Sequence, residues 1–230
     1  IKTSRDTMYP NLLDAVRISE DAGADLITIH LREDRRHIQD NDALDIRKYA
    51  KVLNFEMAHT NEMVKFATDL KPDFCCIVPE KREEKTTEGG LSLKTYSDKK
   101  LALLQKTISD FKLNNIKTSL FIDPDTESID ISKNVGADLV ELHTGRYANL
   151  FNTIDEFDCL EEITLASKYA HSKGLLVNAG HGLNYENLTE ICKLEHINEI
   201  NIGHAIIAQA VFTGLKDAIT KIISIINNCD

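Results

Sequence analysis

Short β-branched runs recur along the chain, each followed by a longer amphipathic stretch. This alternation limits the possible fold more than any other feature of the sequence. The runs are Asp25–Leu31, Asn54–Ala58, Phe74–Glu80, Thr118–Asp123, Leu139–Gly145, Leu175–Gly180 and Glu199–Gly203. Most are continuous apolar runs, as parallel strands covered on both faces would be. Helical patterns fall between them, near 10–23, 60–70, 93–115, 126–135, 154–173, 185–193 and 205–227. Gly23, Gly136 and Gly174 follow three of these and suit left-handed C-caps. No Pro/Gly/Ser-rich linker divides the chain, so residues 1–230 read as a single βα-repeating domain.

The strand count narrows the topology. An open doubly wound sheet would carry a Gly-rich nucleotide loop after its first strand. The nearest pair here, Gly89-Gly90, instead follows a polar loop. A closed (β/α)₈ barrel needs one strand more than these seven runs and typically has about 250 residues, against 230 here. The expectation is therefore an α/β TIM barrel. Its first strand would lie N-terminal to Ile1 and be missing from this sequence, with Ile1–Pro10 the loop that follows it.

Composition excludes several classes of function. With 42% hydrophobic and 28% charged residues the chain can build a core and stay in solution. A net charge of −10 argues against nucleic acid or an anionic membrane as partner, since both select basic faces. No apolar run is long enough to span a bilayer. The five cysteines include the adjacent pair Cys75-Cys76 and show no C-x-x-C spacing, which fits reduced thiols rather than a disulfide framework. The opening IKTSRDTMYP has no signal-peptide core. A cytoplasmic location is expected.

In such barrels the chemistry gathers at the C-terminal ends of the strands. One strand ends at His30, followed by Arg32, Arg35, Arg36 and His37, and the next carries Glu56. The third runs into Glu80-Lys81-Arg82 and the polar loop Thr86–Gly90, and the fifth carries Glu141 and His143. The last two end N-A-G-H-G (Asn178–Gly182) and N-I-G-H-A (Asn201–Ala205). Glycine there lets a ligand approach the backbone, and a helix N-terminus offers N–H groups to an anion. The loops after the last two barrel strands are the usual phosphate site. A second anion site is expected at Arg32 with His37, where a guanidinium fork can grip phosphate oxygens. Two phosphate sites around acid/base groups point to an enzyme joining two phosphorylated small molecules, with Glu and His moving protons through imine and dehydration steps.

The longest motifs are Thr28–Ile38 (TIHLREDRRHI), Phe74–Gly90 (FCCIVPEKREEKTTEGG), Glu141–Gly145, Asn178–Leu183 and Asn201–Ile206. Together, in order and spacing, they resemble the pyridoxine 5′-phosphate synthase family of vitamin B6 biosynthesis over essentially the whole chain. The resemblance implies a TIM barrel with extra helices and no metal or organic cofactor. It also implies a homo-octamer that condenses 3-amino-2-oxopropyl phosphate with 1-deoxy-D-xylulose 5-phosphate, releasing inorganic phosphate and water. By the same resemblance His30 and Glu56 are proton acceptors, His181 a proton donor, and Glu141 a stabiliser of charged transition states. Arg32, His37 and Thr86 would hold the deoxyxylulose phosphate. Arg5, Gly182, Gly203 and His204 would hold the amino-ketone phosphate. The family's opening strand, of the type G-V-N-I-D-H-I-A, has no counterpart here, so its polar residues are not carried over.

Two rivals predict different chemistry. A metal-dependent barrel lyase or isomerase would use His30, Glu56, Glu141, His143, His181 and His204 as ligands. A non-catalytic sensor of phosphorylated ligands would bind without turnover.

Overall fold

A computed structural model of the chain describes residues 9–80 and 89–229. The apolar runs form β1 (Ile27–His30), β2 (Leu53–Ala58), β3 (Phe74–Val78) and β4 (Lys117–Ile122), then β5 (Leu139–His143), β6 (Leu176–Gly180) and β7 (Glu199–Asn201). All seven pair in parallel and in chain order, β1 to β7. Parallel neighbours joined by helical crossovers turn in one sense, and the sheet curls into the wall of a TIM-type barrel. Its two ends approach each other through side chains: Thr28 on β1 donates its hydroxyl to Asn201 Oδ1 on β7 at 3.0 Å.

Around this wall lie α1 (Leu12–Asp21), α2 (Asp40–Tyr49), α3 (Asn61–Leu70), α4 (Asp98–Leu113) and α5 (Thr126–Asn134). They are followed by α6 (Gly145–Leu150), α7 (Glu156–Ser172), α8 (Leu188–Cys192), α9 (His204–Thr213) and α10 (Leu215–Asn227). Several starts are written in the sequence. The side chains of Asn11, Thr60, Ser97 and Asp125 accept backbone N–H groups at the first turns of α1, α3, α4 and α5. Each such cap is worth about 1 kcal/mol. At the other ends Gly23, Gly136 and Gly174 take positive φ, as the C-cap reading requires.

The structure corrects the sequence reading in three places. The pattern over 205–227 is two helices, because Gly214 at φ +84° breaks it. The helices α2 and α6 lacked a readable pattern; α2 buries only Ala43 and Ile46. The third correction concerns the strands, which are apolar on one face only. Phe55, Met57, Cys75, Ile77, Leu120, Val140, Leu142, Val177 and Ala179 face the helices and belong to the main core. Each large side chain there contributes roughly 1.5–3 kcal/mol by leaving water. The alternate residues form a small apolar cluster of Cys76, Val78 and Phe121 and, beside it, a polar lining of Asn54, Glu56, Ser119, Glu141 and Asn178.

Candidate active site

The parallel register stacks the inward side chains in rows. His30 aligns with Glu56 and Glu56 with Cys76, while Glu141 aligns with Asn178 and Asn178 with Glu199. Hydrogen bonds tie these rows together. Asn54 donates to Thr28 Oγ1 at 3.3 Å, and Asn201 Nδ2 donates to both Glu141 Oε2 and Glu199 Oε1 at 3.0 Å. Asn178 donates to Glu199 at 3.0 Å. Gly180 is required beside this network, because a Cβ there would collide with Glu141 Oε1.

His30 stands between two carboxylates. Its Nδ1 is 3.8 Å from Glu56 Oε2, and its Nε2 is 3.5 Å from Glu80 Oε2. Glu80, just past β3, is buried. Its Oε1 accepts the Glu33 backbone N–H at 3.0 Å and lies 3.8 Å from Arg32. Arg32 is also buried and forks onto Asp34 at 3.2 and 3.3 Å.

On the far side of the mouth His143 faces Asp123, Nδ1 to Oδ1 at 3.3 Å, and Asp123 also accepts the Gly90 N–H at 2.9 Å. The His143 and His181 rings are 5.1 Å apart between centroids, with Phe121 edge-on to both. His181 sits at φ +77°, a conformation costly for a non-glycine residue, and Gly182 follows at φ +81°. Thr144 holds the turn by donating to the carbonyls of Gly180 and His181 at 2.7 Å.

Burial sets the proton affinities. His30 is pushed down to about 4 by desolvation, helped by the charges of Arg32 and His37, and is a neutral imidazole near pH 7. Desolvation lifts Glu56 to about 7. Glu141 is lifted well above the carboxylate range by burial and then by the charges of Glu56 and Glu199. His181 is lowered, first by burial and then by the charge of His143. Acid and base groups whose proton affinities are reset by burial, Glu56 near neutrality among them, are therefore gathered at one barrel mouth.

The family described as "Pyridoxal phosphate biosynthesis protein PdxJ" matches residues 1–228. The chain belongs to the PdxJ family.

Among its curated relatives is the pyridoxine 5′-phosphate synthase of Sulfurihydrogenibium sp. (strain YO3AOP1), 48% identical over 232 residues, covering 99% of this chain and 93% of the relative. The enzyme of the same name from Blochmanniella floridana is 49% identical over 220 residues, covering 95% of this chain and 87% of that one. Two solved structures share the fold at low identity. Phosphoribosyl anthranilate isomerase from Thermus thermophilus aligns with TM-score 0.60 at 12% identity, covering 95% of each chain. 3-Keto-L-gulonate-6-phosphate decarboxylase from Vibrio cholerae aligns with TM-score 0.65 at 13% identity, covering 95% of this chain and 94% of that one.

In this PdxJ-family chain His30, Glu56 and Arg32 come together, and Glu141 and His181 sit on the neighbouring strand ends across the mouth. His37 lies on the exposed loop after β1, where its charge still reaches His30. Gly203 and His204 begin α9, as the helix-start reading required. Gly182 does not: helix α8 begins only at Leu188, so a backbone turn, not a helix N-terminus, follows N-A-G-H-G. Arg5 and Thr86 lie outside the described residues. Among the described residues, no three His, Cys, Asp or Glu side chains form a group that could hold a metal ion, so the ligand set of the metal-dependent rival is not assembled.

The structure adds Glu80 and Asp123 to the site. Asp123 is hidden in sequence at the end of an apolar strand, whereas Glu80 stands in the strand-end run Glu80-Lys81-Arg82 with no role attached to it there. Their signal is positional, since each stands at or just past the C-terminal end of a barrel strand.

Proposed function

We propose that this PdxJ-family chain is a pyridoxine 5′-phosphate synthase condensing 3-amino-2-oxopropyl phosphate with 1-deoxy-D-xylulose 5-phosphate. The products are pyridoxine 5′-phosphate, inorganic phosphate and water. The observation that carries this reading is His30 held between Glu56 and Glu80 at the mouth, with Glu141 buried on the same wall.

Imine formation needs a base to take protons from the amine nitrogen, before and after it adds to the carbonyl. Neutral His30 and Glu56, poised near pH 7, fill that role. Burial makes ionisation of Glu141 costly, and a cationic intermediate favours its ionised form, so its stabilisation grows as charge develops. His181 donates to leaving oxygens, its hold on the proton loosened by burial and by His143. Arg32, His37 and Thr86 would bind one phosphate. Arg5, Gly182, Gly203 and His204 would bind the other, with the opening N–H groups of α9 aimed at its oxygens. A Cβ at Gly203 would meet open space, so chain packing does not demand glycine there, and close approach of a ligand supplies a reason. No metal or organic cofactor enters the scheme.

The same reading includes a cytoplasmic location and a homo-octamer. The buried thiols Cys75, Cys76 and Cys159 suit a reducing compartment. Helix α9 is largely apolar yet buries no residue, and Phe212 is 85% exposed, which suits contact between copies. Sedimentation equilibrium tests the assembly; a monomer would overturn that part. Among the described residues no helix is long and apolar enough to cross a membrane.

The direct test mixes the protein with both substrates and follows pyridoxine 5′-phosphate by absorbance alongside phosphate release, with and without exhaustive chelation. Matched appearance of both products is expected, undiminished by chelator. Tight binding of either substrate without turnover would favour the sensor. Unchanged turnover in Glu56→Gln or His181→Asn removes that residue from the scheme.

A further inference from the structure

His143 enters the scheme above only through its charge on His181, yet its placement is specified on every side. Its Nδ1 faces Asp123 at 3.3 Å, which puts the ring proton on Nδ1 and leaves the Nε2 lone pair directed inward. That Nε2 is buried and, among the described residues, has no hydrogen-bond partner. A buried polar atom without a partner is costly, so it persists where it serves a neighbour. The neighbour is His181, whose ring is tilted against His143 at 5.1 Å, both closed in by the edge of Phe121.

Gly145 makes this contact possible. A Cβ at that position would stand 2.5 Å from His143 Nε2 and 3.1 Å from His181 Cδ2, wedged between the rings. Asp123 in turn is fixed by the Gly90 N–H at 2.9 Å. The chain thus supplies carboxylate, imidazole and imidazole in sequence from the ends of β4, β5 and β6.

We propose that His143, anchored by Asp123, is a positioning residue that orients the His181 ring and governs release of its proton. The inference rests on the donor role read for His181. The charged or titratable groups recorded around the three are few. His143 faces His181 from β5, Asp123 stands behind it at the end of β4, and the charge of Lys94 reaches Asp123. When the Nε2 lone pair takes a proton the His143 ring becomes cationic, and that charge opposes the proton on His181, in line with its lowered affinity.

The test uses His143→Gln, which keeps a donor for Asp123 and most of the volume but cannot carry charge. Asp123→Asn is the second variant, at a side chain 55% exposed and so little threat to folding. Two readouts are taken, the pH profile of kcat and the titration of His181 by NMR with labelled histidine; the second needs no substrate. In His143→Gln, kcat is expected to fall on the order of tenfold, less than loss of a general acid itself, with KM nearly unchanged. The His181 titration and the alkaline limb of kcat should both move to higher pH. Asp123→Asn should lower kcat in the same way. If His143→Gln leaves the His181 titration where it was, the inference is overturned, whatever the activity. A parent that titrates as expected but never turns over instead removes the synthase reading and leaves the histidine pair standing.

Discussion

Glu80 brings Oε2 to 3.5 Å from Nε2 of His30, and neither atom has a hydrogen-bond partner among the described residues. Two buried polar atoms facing each other just beyond bonding distance form a contact that a small inward movement completes. With Glu56 at the other ring nitrogen, His30 has one carboxylate facing each nitrogen, so its tautomer depends on which pair is shorter at the moment of reaction.

Glu80 should therefore behave as a support of His30. Glu80→Gln keeps an acceptor for the Glu33 N–H but loses the charge. It is expected to lower kcat/KM by about tenfold with little loss of stability. Glu80→Ala also strips the acceptor from Glu33 and should cost roughly 1–3 kcal/mol in urea unfolding. Full activity in both variants would remove Glu80 from the site.

The activity profile should carry the signature of Glu56. His30 is already neutral above about pH 4, whereas Glu56 must lose a proton near 7 to act as acceptor. Accordingly kcat/KM should rise with pH through about 7. His30→Gln should lower the plateau without moving that limb far. An acid limb near pH 4 with none near 7 in the parent would contradict the assignment.

Stability should respond to the same two groups with opposite signs. The folded pKa of Glu56 is raised, so its favourable contribution is present below the ordinary carboxylate value of 4.5 and lost as pH rises through about 7. That of His30 is depressed, so its contribution is present above the ordinary 6.5 and lost as pH falls through about 4. Relative to the parent, Glu56→Gln should gain stability between pH 5 and 7 in proportion to the lost slope. Over the same range His30→Gln should lose it. Parallel pH–stability curves for all three proteins would refute both shifts.

Two glycines should separate structure from binding. Gly180→Ala drives a methyl group into the Glu141 carboxylate and should cost roughly 1–3 kcal/mol as well as activity. Gly203→Ala meets open space and should leave Tm within a few degrees while raising KM for the amino-ketone phosphate. Calorimetry and steady-state kinetics on the pair decide the matter.

Much of this arrangement is legible in the sequence because strand ends in a βα-repeat point one way. His30, Glu56, Glu141 and His181 could be placed from their runs alone. What could not be read has physical causes. An apolar run shows that its strand is buried but not that one face is lined with Asn, Ser and Glu. In LVELH and LVNAG the polar residue looks like an interruption when it is the inner face. Helix α2 offers little amphipathic pattern, since the residues it buries are only Ala43 and Ile46. Glu80 looks like the head of a solvated charge run until the fold turns its carboxylate toward His30.

The rows that align His30 with Glu56 and Glu141 with Asn178 are rungs of the same backbone ladder that holds the protein folded. Among the described residues, catalytic spacing and global cooperativity therefore share one scaffold. Heat should abolish turnover and secondary structure at the same temperature, without an earlier plateau of folded but idle enzyme.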